Sequence, residues 1–270
     1  MIKFENTEIM GWEHAIRGMR NPMNSWEKSD SRYCPGKNCD GCDLWDLHRA
    51  KCSQNYCEGD LVVGPNDLDL MKRLRDAGTD HRKFMRMITV YVDITAPLYW
   101  WKEFDTYKVG TVANSCSTMH KIAAKEFTLE DFSTEHLFDR YGDPSMNLNY
   151  GGKHPIGMMN DLIRTLNHFR HWYLETNDKK YWWQMIQLLP SSYNQKRTVM
   201  LNYEVLANMY KSRKNHKLDE WAEHTVPERK QDPIADGYEF SQYINNRGFC
   251  DWIKTLPYSE LITGEENTHA

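Results

Sequence analysis

Five of the seven cysteines crowd into the stretch 34–57, where their spacing can be tested against metal geometry. Cys39 and Cys42 have the Cys-x2-Cys spacing of one half of a zinc site, and Cys52 and Cys57 can supply the other half. Four thiolates leave no open coordination position, so a zinc ion here would be structural. The odd cysteine count and the absence of a secretion signal argue against a disulfide framework. The alternative is a loop of free thiols in a reducing cytosol.

The segment 100–120 offers groups that suit a phosphate. A predicted helix leads into a loop of small polar residues, whose hydroxyl and backbone N–H groups can bind an anion. The alternative is an ordinary amphipathic helix with a solvated charged face. The polar residues of this segment include Lys102, Glu103, Asp105, Lys108, Asn114, Ser115, Ser117 and His120.

A third group of polar residues lies in the stretch 198–221, which the apolar spacing predicts to be one long helix. Asn202 and Arg213 are three helical turns apart and therefore lie on one face, in a segment that also contains Glu204 and His216. An arginine in this position could hold a phosphate bidentately. Equally, it could be an ordinary surface charge.

The elements that position these residues are predicted from periodicity and from helix and turn signals. The patterns give few strands and many helices, and the fold class is α+β. The predicted elements are a helix from 66 or 67 to Gly78 capped by Asn66 or Asp67, a strand over 84–94, a short helix from about Pro97, a loop over 109–118, and helices over 160–173 and 181–189.

Composition narrows the class of protein further. The chain is 40% hydrophobic and 27% charged, which excludes a disordered protein. A net charge of −4 argues against a dedicated nucleic-acid-binding protein, although the basic run 211–217 keeps a zinc-stabilised nucleic-acid module as a third interpretation. No apolar run reaches the length of a membrane span, and the first residues lack the apolar core of a signal peptide. We therefore expect a cytoplasmic protein without a membrane partner.

Two stretches together resemble the flavin-dependent thymidylate synthases. The first is the strand ITVYVDI, followed by Ala96-Pro97 and the ungapped match APLYWWKEFDTYK. The second combines Leu189-Pro190, Asn202 and an arginine eleven residues later, Arg213. The resemblance covers roughly residues 70–225.

The resemblance implies a particular architecture. It predicts one thymidylate synthase-like domain over 1–270, with a small, mostly antiparallel central sheet flanked by helices and a helical C-terminal half. The stretch at about 29–64 is then a Cys-rich insertion, and the chain from about 226 is a C-terminal extension. The family also implies a homo-oligomer, expected to be a tetramer, in which several subunits build each active site.

The resemblance further implies an activity. In that family, reduced FAD takes part in one-carbon transfer from methylene-tetrahydrofolate to the pyrimidine ring of dUMP, with NADPH as the nicotinamide cosubstrate. Carried over position by position, the implied substrate-binding residues are Arg213, Ser117, Glu103 and Asn114, and the implied FAD-binding residues are Asn202, Tyr107 and Lys108.

The sequence departs from the family's motifs at several charged positions. Thr106-Tyr107-Lys108 replaces an Arg-His-Arg motif, Glu103 replaces a Gln, Met119-His120 replaces an Arg-Tyr, and Glu204 replaces an Arg. The phosphates of FAD and dUMP carry about four negative charges, which need matched cations when buried. The losses therefore leave a second hypothesis open, a catalytically inactive scaffold that binds a nucleotide or a partner protein. Lys108, Arg213, Lys102 and Arg86 are the cations that could supply some of the missing charge.

Overall fold

A computed structural model describes residues 2–34, 61–139, 154–224 and 248–265 of the 270-residue chain. Its main feature is a four-stranded antiparallel sheet with the strand order β1-β4-β6-β5. This confirms the predicted α+β class with an antiparallel central sheet. Numbered along the chain, these strands are β1 (Lys3–Met10), β4 (Thr89–Pro97), β5 (Val112–Ser115) and β6 (Asn194–Asn202).

Strand β4 is the central element of the core. It pairs with β6 along its whole length, from Thr89 opposite Asn202 to Pro97 opposite Asn194. Because side chains alternate between the two faces of a strand, one face of β4 is apolar and covered. The buried residues on that face are Val90, Val92, Ile94 and Ala96.

Helices surround the sheet. Among the described helices, none is both long enough and apolar enough to cross a bilayer. In chain order, they are α1 (Trp12–Arg20), α2 (Pro65–Asp76), α3 (Leu98–Phe104), α4 (Thr118–Lys121), α5 (Pro155–Thr176), α6 (Lys179–Leu188), α7 (Tyr203–Arg213), α8 (Phe249–Lys254) and α9 (Glu260–Thr263).

The main core lies between the apolar face of the sheet and α1, α2, α3, α7, α8 and α9. Trp100 and Trp101 of α3 are fully buried in it. The Trp100 ring stacks on that of Trp221, with 4.4 Å between the ring centroids. A second, smaller apolar cluster lies beneath the α5–α6 hairpin and is formed by Ile122, Phe127, Phe132, Ile163, Leu166 and Met185.

A two-stranded ribbon lies apart from the main sheet. It pairs β2 (Arg32–Tyr33) with β3 (Leu61–Val62), and Tyr33 stands opposite Leu61. The residues between the two strands include Cys39, Cys42, Cys52 and Cys57, and the predicted zinc site therefore lies outside the described residues.

Asp67 ties this ribbon to the helices. Its carboxylate is fully buried and forms an ion pair with Arg20 at 2.6 Å. The hydroxyls of Ser29 and Ser31 each donate to it at 2.6 Å. Burial alone would raise the pKa of Asp67, but the hydrogen bonds from Ser29, Ser31 and Arg20 lower the pKa below its ordinary value.

The predicted cap of α2 is wrong, although the helix itself is confirmed. Helix α2 begins at Pro65, and the carboxylate of Asp30 accepts hydrogen bonds from the backbone N–H groups of Asn66 (2.8 Å) and Asp67 (3.1 Å). The cap therefore comes from a residue distant in sequence. Asp67 cannot cap because its carboxylate is committed to Arg20.

The predicted strand over 84–94 begins later, at Thr89. Residues Arg82–Arg86 form a 3₁₀ turn in which the neighbours Phe84 and Met85 are both buried. Successive side chains of a strand point to opposite faces, so a strand covered on one face could not bury both.

The loop predicted over 109–118 contains β5. All four of its side chains are exposed, so the strand has no apolar alternation that could reveal it. It forms because its backbone pairs with β6, from Val112 opposite Met200 to Ser115 opposite Arg197.

The long helix predicted over 198–221 is wrong at both ends, because α7 covers Tyr203–Arg213 and residues 214–221 form turns and bends. Residues up to Asn202 belong to β6, and helix α7 starts at Tyr203. The apolar residues Met200, Leu201 and Val205 fit a helical spacing, but pairing with β4 holds the first two in a strand. Among the described residues of the C-terminal half, β6 is therefore the one strand of the main sheet, and the other elements are helices.

Candidate functional site

Arg213, at the end of α7, is the centre of a cluster of polar and aromatic side chains. Its Nη1 donates to Glu103 Oε2 at 2.8 Å, and its Nε donates to the hydroxyl of Tyr107 at 2.9 Å. The guanidinium carbon lies 5.0 Å from the centroid of the Trp221 ring and 5.5 Å from that of Tyr107. Contacts with aromatic rings orient an arginine without neutralising its charge.

Two helix ends position this cluster. Glu103 lies in the last turn of α3, and Tyr107 follows that helix directly. Arg213 is the last residue of α7, whose start is fixed by Asn202, because Asn202 Oδ1 accepts from the backbone N–H of Val205 at 3.0 Å. The length of α7 separates Asn202 from Arg213 by about 16 Å at 1.5 Å per residue. The two residues therefore serve opposite ends of one helix.

His216 extends the cluster beyond the helix. Its Nε2 lies 3.3 Å from Glu103 Oε2, and its Nδ1 accepts from the backbone N–H of Leu218 at 3.1 Å. One carboxylate oxygen of Glu103 therefore faces two donors, Arg213 and His216. The Arg213 side chain is 18% exposed and that of Glu103 is 34% exposed, so the ion pair lies at a partly covered surface.

The other two residues assigned to the substrate make different contacts. Asn114 is exposed on β5 and stands opposite Thr198 of β6. Ser117 Oγ accepts from the backbone N–H of His120 at 3.2 Å and so caps α4. Ser117 also lines a cavity of about 270 Å³ that includes Thr95, Cys116, Lys121, Tyr193 and Lys196. The structure thus groups Glu103, Tyr107 and Arg213, whereas Ser117 and Asn114 contact α4 and β6.

Arg86, one of the cations considered for phosphate charge, is engaged with another carboxylate. It forms an ion pair with the buried Glu204, which Arg82 Nε also contacts at 3.2 Å. Burial opposes ionisation of Glu204, but the hydrogen bonds and charges of Arg86 and Arg82 lower its pKa below the ordinary value. Glu204 stands where the resembling family has an Arg. Its negative charge is therefore balanced by Arg86 and Arg82.

The three residues assigned to FAD supply little charge within one chain. Tyr107 accepts from Arg213, Asn202 caps α7, and Lys108 is exposed. A Cβ on Gly110, which has a φ of +77°, would lie 3.0 Å from Asn202 Nδ2, so the turn after Lys108 passes close to the start of α7. The diphosphate of FAD carries about two negative charges and needs matched cations when buried. Lys108 is the single cation among these three residues, so these three residues do not fit the FAD diphosphate by themselves.

Trp221 is a residue of this cluster that sequence patterns do not single out. It is fully buried and packs between Arg213 and Trp100. Its position depends on a turn after α7 that carries no clear periodicity. The spacing of His216, three residues after Arg213, is a local signal that could have placed both side chains together.

No group of three or more potential metal ligands occurs within the ranges that the structure describes. The cysteines predicted to bind zinc lie outside those ranges, so the zinc site stays a prediction.

Three features of the fold define the class of protein. The sheet is small and antiparallel, its central strand leads into an aromatic helix, and the helix after β6 ends in an arginine. This structure is similar to two crystal structures of flavin-dependent thymidylate synthase ThyX from Helicobacter pylori with FAD and dUMP. The first has a TM-score of 0.53 at 13% sequence identity and covers 97% of this chain and 98% of that chain. The second has a TM-score of 0.53 at 14% identity and covers 98% of each chain.

The UMP/dUMP methylase PolB from Streptomyces cacaoi, bound with 5-Br UMP, has a TM-score of 0.48 at 12% identity and covers 98% of this chain and 93% of that chain. Neither protein-family sequence models nor the sequences of characterised proteins give a match. At these identities the likeness shows the fold. The chain has the fold of the flavin-dependent thymidylate synthases, which confirms the fold that the sequence resemblance predicts.

Proposed function

We propose that this chain is a divergent thymidylate synthase-like enzyme that transfers a one-carbon unit to a pyrimidine deoxynucleotide. The proposed substrate is dUMP, the one-carbon donor is methylene-tetrahydrofolate, and FAD and NADPH are the redox partners. The fold supports this proposal because the similar Helicobacter pylori enzyme was solved with FAD and dUMP. Fold alone does not define a function, so the proposal depends on the site.

The observation that carries the proposal is the environment of Arg213. Its guanidinium is oriented by Tyr107 and Trp221 and presents Nη1 to a carboxylate oxygen. Arginine in such a setting suits recognition of a phosphate, because its planar fork matches the geometry of the anion. Arg213 would therefore bind the 5′-phosphate, with Tyr107 holding the guanidinium in place.

A second copy of the chain is part of this proposal. Asn202, Tyr107 and Lys108 do not fit the FAD diphosphate by themselves, and the resembling family builds each site from several subunits. We propose that partner subunits supply the missing positive charge in a homotetramer.

A specific observation favours a second candidate, a catalytically inactive scaffold that binds a nucleotide or a partner protein. Glu103 already neutralises Arg213, and Thr106-Tyr107-Lys108 retains one positive charge where the family has Arg-His-Arg. A protein that no longer binds FAD would not need those charges.

One experiment separates the two candidates. The purified protein is mixed with FAD and dUMP, the flavin absorbance bands are recorded after gel filtration, and dUMP binding is measured by calorimetry. Retained flavin, together with dTMP formed from dUMP, methylene-tetrahydrofolate and NADPH, would support the enzyme. Nucleotide binding by a colourless protein would favour the scaffold. Absence of any pyrimidine nucleotide binding, with or without FAD, would contradict both nucleotide proposals.

A further inference from the structure

One oxygen of Glu103 occupies a position that would suit an oxygen of a ligand phosphate. Glu103 Oε2 accepts from Arg213 Nη1 at 2.8 Å and lies 3.3 Å from His216 Nε2. Arg213 Nη1 and His216 Nε2, which are three residues apart in sequence, thus both approach a single anionic oxygen. Donors that converge in this way are typical of sites that bind carboxylates and phosphates.

The hydrogen bonding of His216 identifies its Nε2 as a donor. Its Nδ1 accepts from the backbone N–H of Leu218 at 3.1 Å and therefore carries no proton. The proton of the neutral ring must then be on Nε2, which points to Glu103. The turn after α7 thereby fixes both the orientation and the tautomer of His216.

Charge makes Glu103 and a phosphate competitors. The positive charge of Arg213 is already matched by the carboxylate of Glu103. A phosphate dianion that approached the same guanidinium would stand beside a like charge, and such contacts oppose binding. Because Glu103 is partly exposed in the last turn of a surface helix, a change of rotamer would carry its carboxylate away.

We propose that Arg213 and His216 together form the phosphate-binding pair of this site, and that Glu103 is an internal competitor that a ligand phosphate must displace. This inference rests on the proposed pyrimidine-nucleotide function and names the residue that limits nucleotide affinity. In this proposal His216 contacts the ligand phosphate. Glu103 sets the preference between a nucleotide and a nucleoside.

The test compares dUMP with deoxyuridine, which lacks the phosphate, by calorimetry. Glu103→Gln removes the competing charge but keeps a side chain of the same size. We expect dUMP to bind about tenfold more tightly to this variant, in keeping with removal of a like charge, while deoxyuridine affinity stays unchanged. The matched control is Asp105→Asn, which changes net charge equally but breaks an ion pair with Arg197 instead.

His216 is tested with His216→Asn, whose amide oxygen can still accept from the backbone of Leu218. In the Glu103→Gln background we expect this variant to lose much of the gain in dUMP affinity. In an Arg213→Ala background, Glu103→Gln should give no gain. Thermal melting of each variant checks that the fold is retained.

The outcomes separate the inference from the function on which it rests. If the wild-type chain binds dUMP and Glu103→Gln leaves that affinity unchanged or lower, the competitor role is wrong and the proposed function stands. An equal gain for deoxyuridine would also overturn the inference, because the effect would then not involve phosphate. If no variant binds either molecule, both the inference and the proposed function fail.

Discussion

At the level of single residues, Arg213 is constrained more tightly than a surface arginine. Its Nε is bound to Tyr107, its Nη1 is bound to Glu103, and the ring centroids of Tyr107 and Trp221 lie 5.5 Å and 5.0 Å from the guanidinium carbon. Ordering a free arginine costs side-chain entropy, which a preorganised side chain has already lost before a ligand arrives. An exposed lysine would lose this entropy when a ligand binds. The ordered Arg213 can therefore contribute more to the binding affinity than an exposed lysine could.

Removal of Arg213 should weaken nucleotide binding strongly. Arg213→Ala leaves a partly buried phosphate without its cation, and we expect a loss of about 3–5 kcal/mol, or roughly a hundredfold or more in the dUMP dissociation constant. Arg213→Lys should recover part of the affinity, because lysine keeps the charge but loses the planar fork.

The matched control is Arg73→Ala, which removes another arginine paired with a carboxylate, at 2.9 Å from Asp69 on the exposed face of α2. Calorimetry should give the wild-type dUMP affinity for this control. Unchanged affinity in Arg213→Ala would show that the phosphate binds elsewhere.

At the level of elements, the base of the ribbon depends on the buried pair of Asp67 and Arg20. Asp67→Asn would leave the Arg20 guanidinium, which is 5% exposed, without its counter-charge. Breaking a buried ion pair from one side costs about 3–5 kcal/mol. We expect urea denaturation to show a loss of that order, whereas Asp69→Asn, two residues away and 67% exposed, should change stability little.

This contribution also has a predicted pH dependence. The folded pKa of Asp67 is lower than its ordinary value of 3.8, so the carboxylate stabilises the fold fully above that value. Its contribution is lost as the pH falls from there through the lower folded pKa. The stability gap between wild type and Asp67→Asn should therefore be constant near neutral pH and shrink in strong acid. A gap that stayed constant in acid would contradict this account.

The zinc prediction concerns the segment between the two strands of the ribbon. If Cys39, Cys42, Cys52 and Cys57 bind zinc, elemental analysis of protein made with zinc present should give about one equivalent per chain. Cys42→Ser should then lower stability and leave nucleotide binding largely intact. A metal content below about a tenth of an equivalent would exclude the site.

The sequence predicts an element correctly where its local pattern is compatible with only one kind of secondary structure. Helix α2 follows from its apolar spacing and from Gly78, and α3 follows from Pro97. The end of β6 was not predictable, because Met200 and Leu201 satisfy a helical spacing as well as a strand. Only the pairing with β4, which lies about a hundred residues earlier, decides between them.

The contacts of the candidate site are likewise not predictable from local sequence patterns. Glu103 and Arg213 are 110 residues apart in sequence, and no local pattern reports that they touch. The family resemblance supplied the register of Arg213, but it could not show that a carboxylate already occupies the guanidinium. The pairing of these charges depends on side chains from three segments. A single sequence shows which residues are charged but not which of them form ion pairs.

At the level of the whole molecule, the α5–α6 hairpin leaves large apolar side chains exposed. Trp172 is 40% exposed, Trp183 is 44% exposed and Leu174 is 55% exposed. Exposed apolar groups clustered on one element are typical of an interface. We take this hairpin as the surface on which copies of the chain associate in the predicted tetramer.

Light scattering should therefore give four times the chain mass. Leu174→Glu places a charge on this surface, and we expect smaller species and weaker FAD retention from it. Met23→Glu, at a position that is 81% exposed and far from the hairpin in sequence, should leave the assembly intact. A strictly monomeric wild-type chain would contradict the tetramer and weaken the enzyme proposal.

The two-stranded ribbon determines whether the Cys-rich stretch between its strands could be shortened. Because Tyr33 stands opposite Leu61, the ribbon brings the chain to within about 5 Å of itself at the point where the Cys-rich stretch departs and returns. That stretch could be excised and replaced by a two-residue turn such as Asn-Gly without moving either strand. The connection from β1 to β4 would become shorter, but closure entropy changes by only about 0.6 kcal/mol for each doubling of length. The length of the segment between β2 and β3 can therefore change while the two strands stay paired.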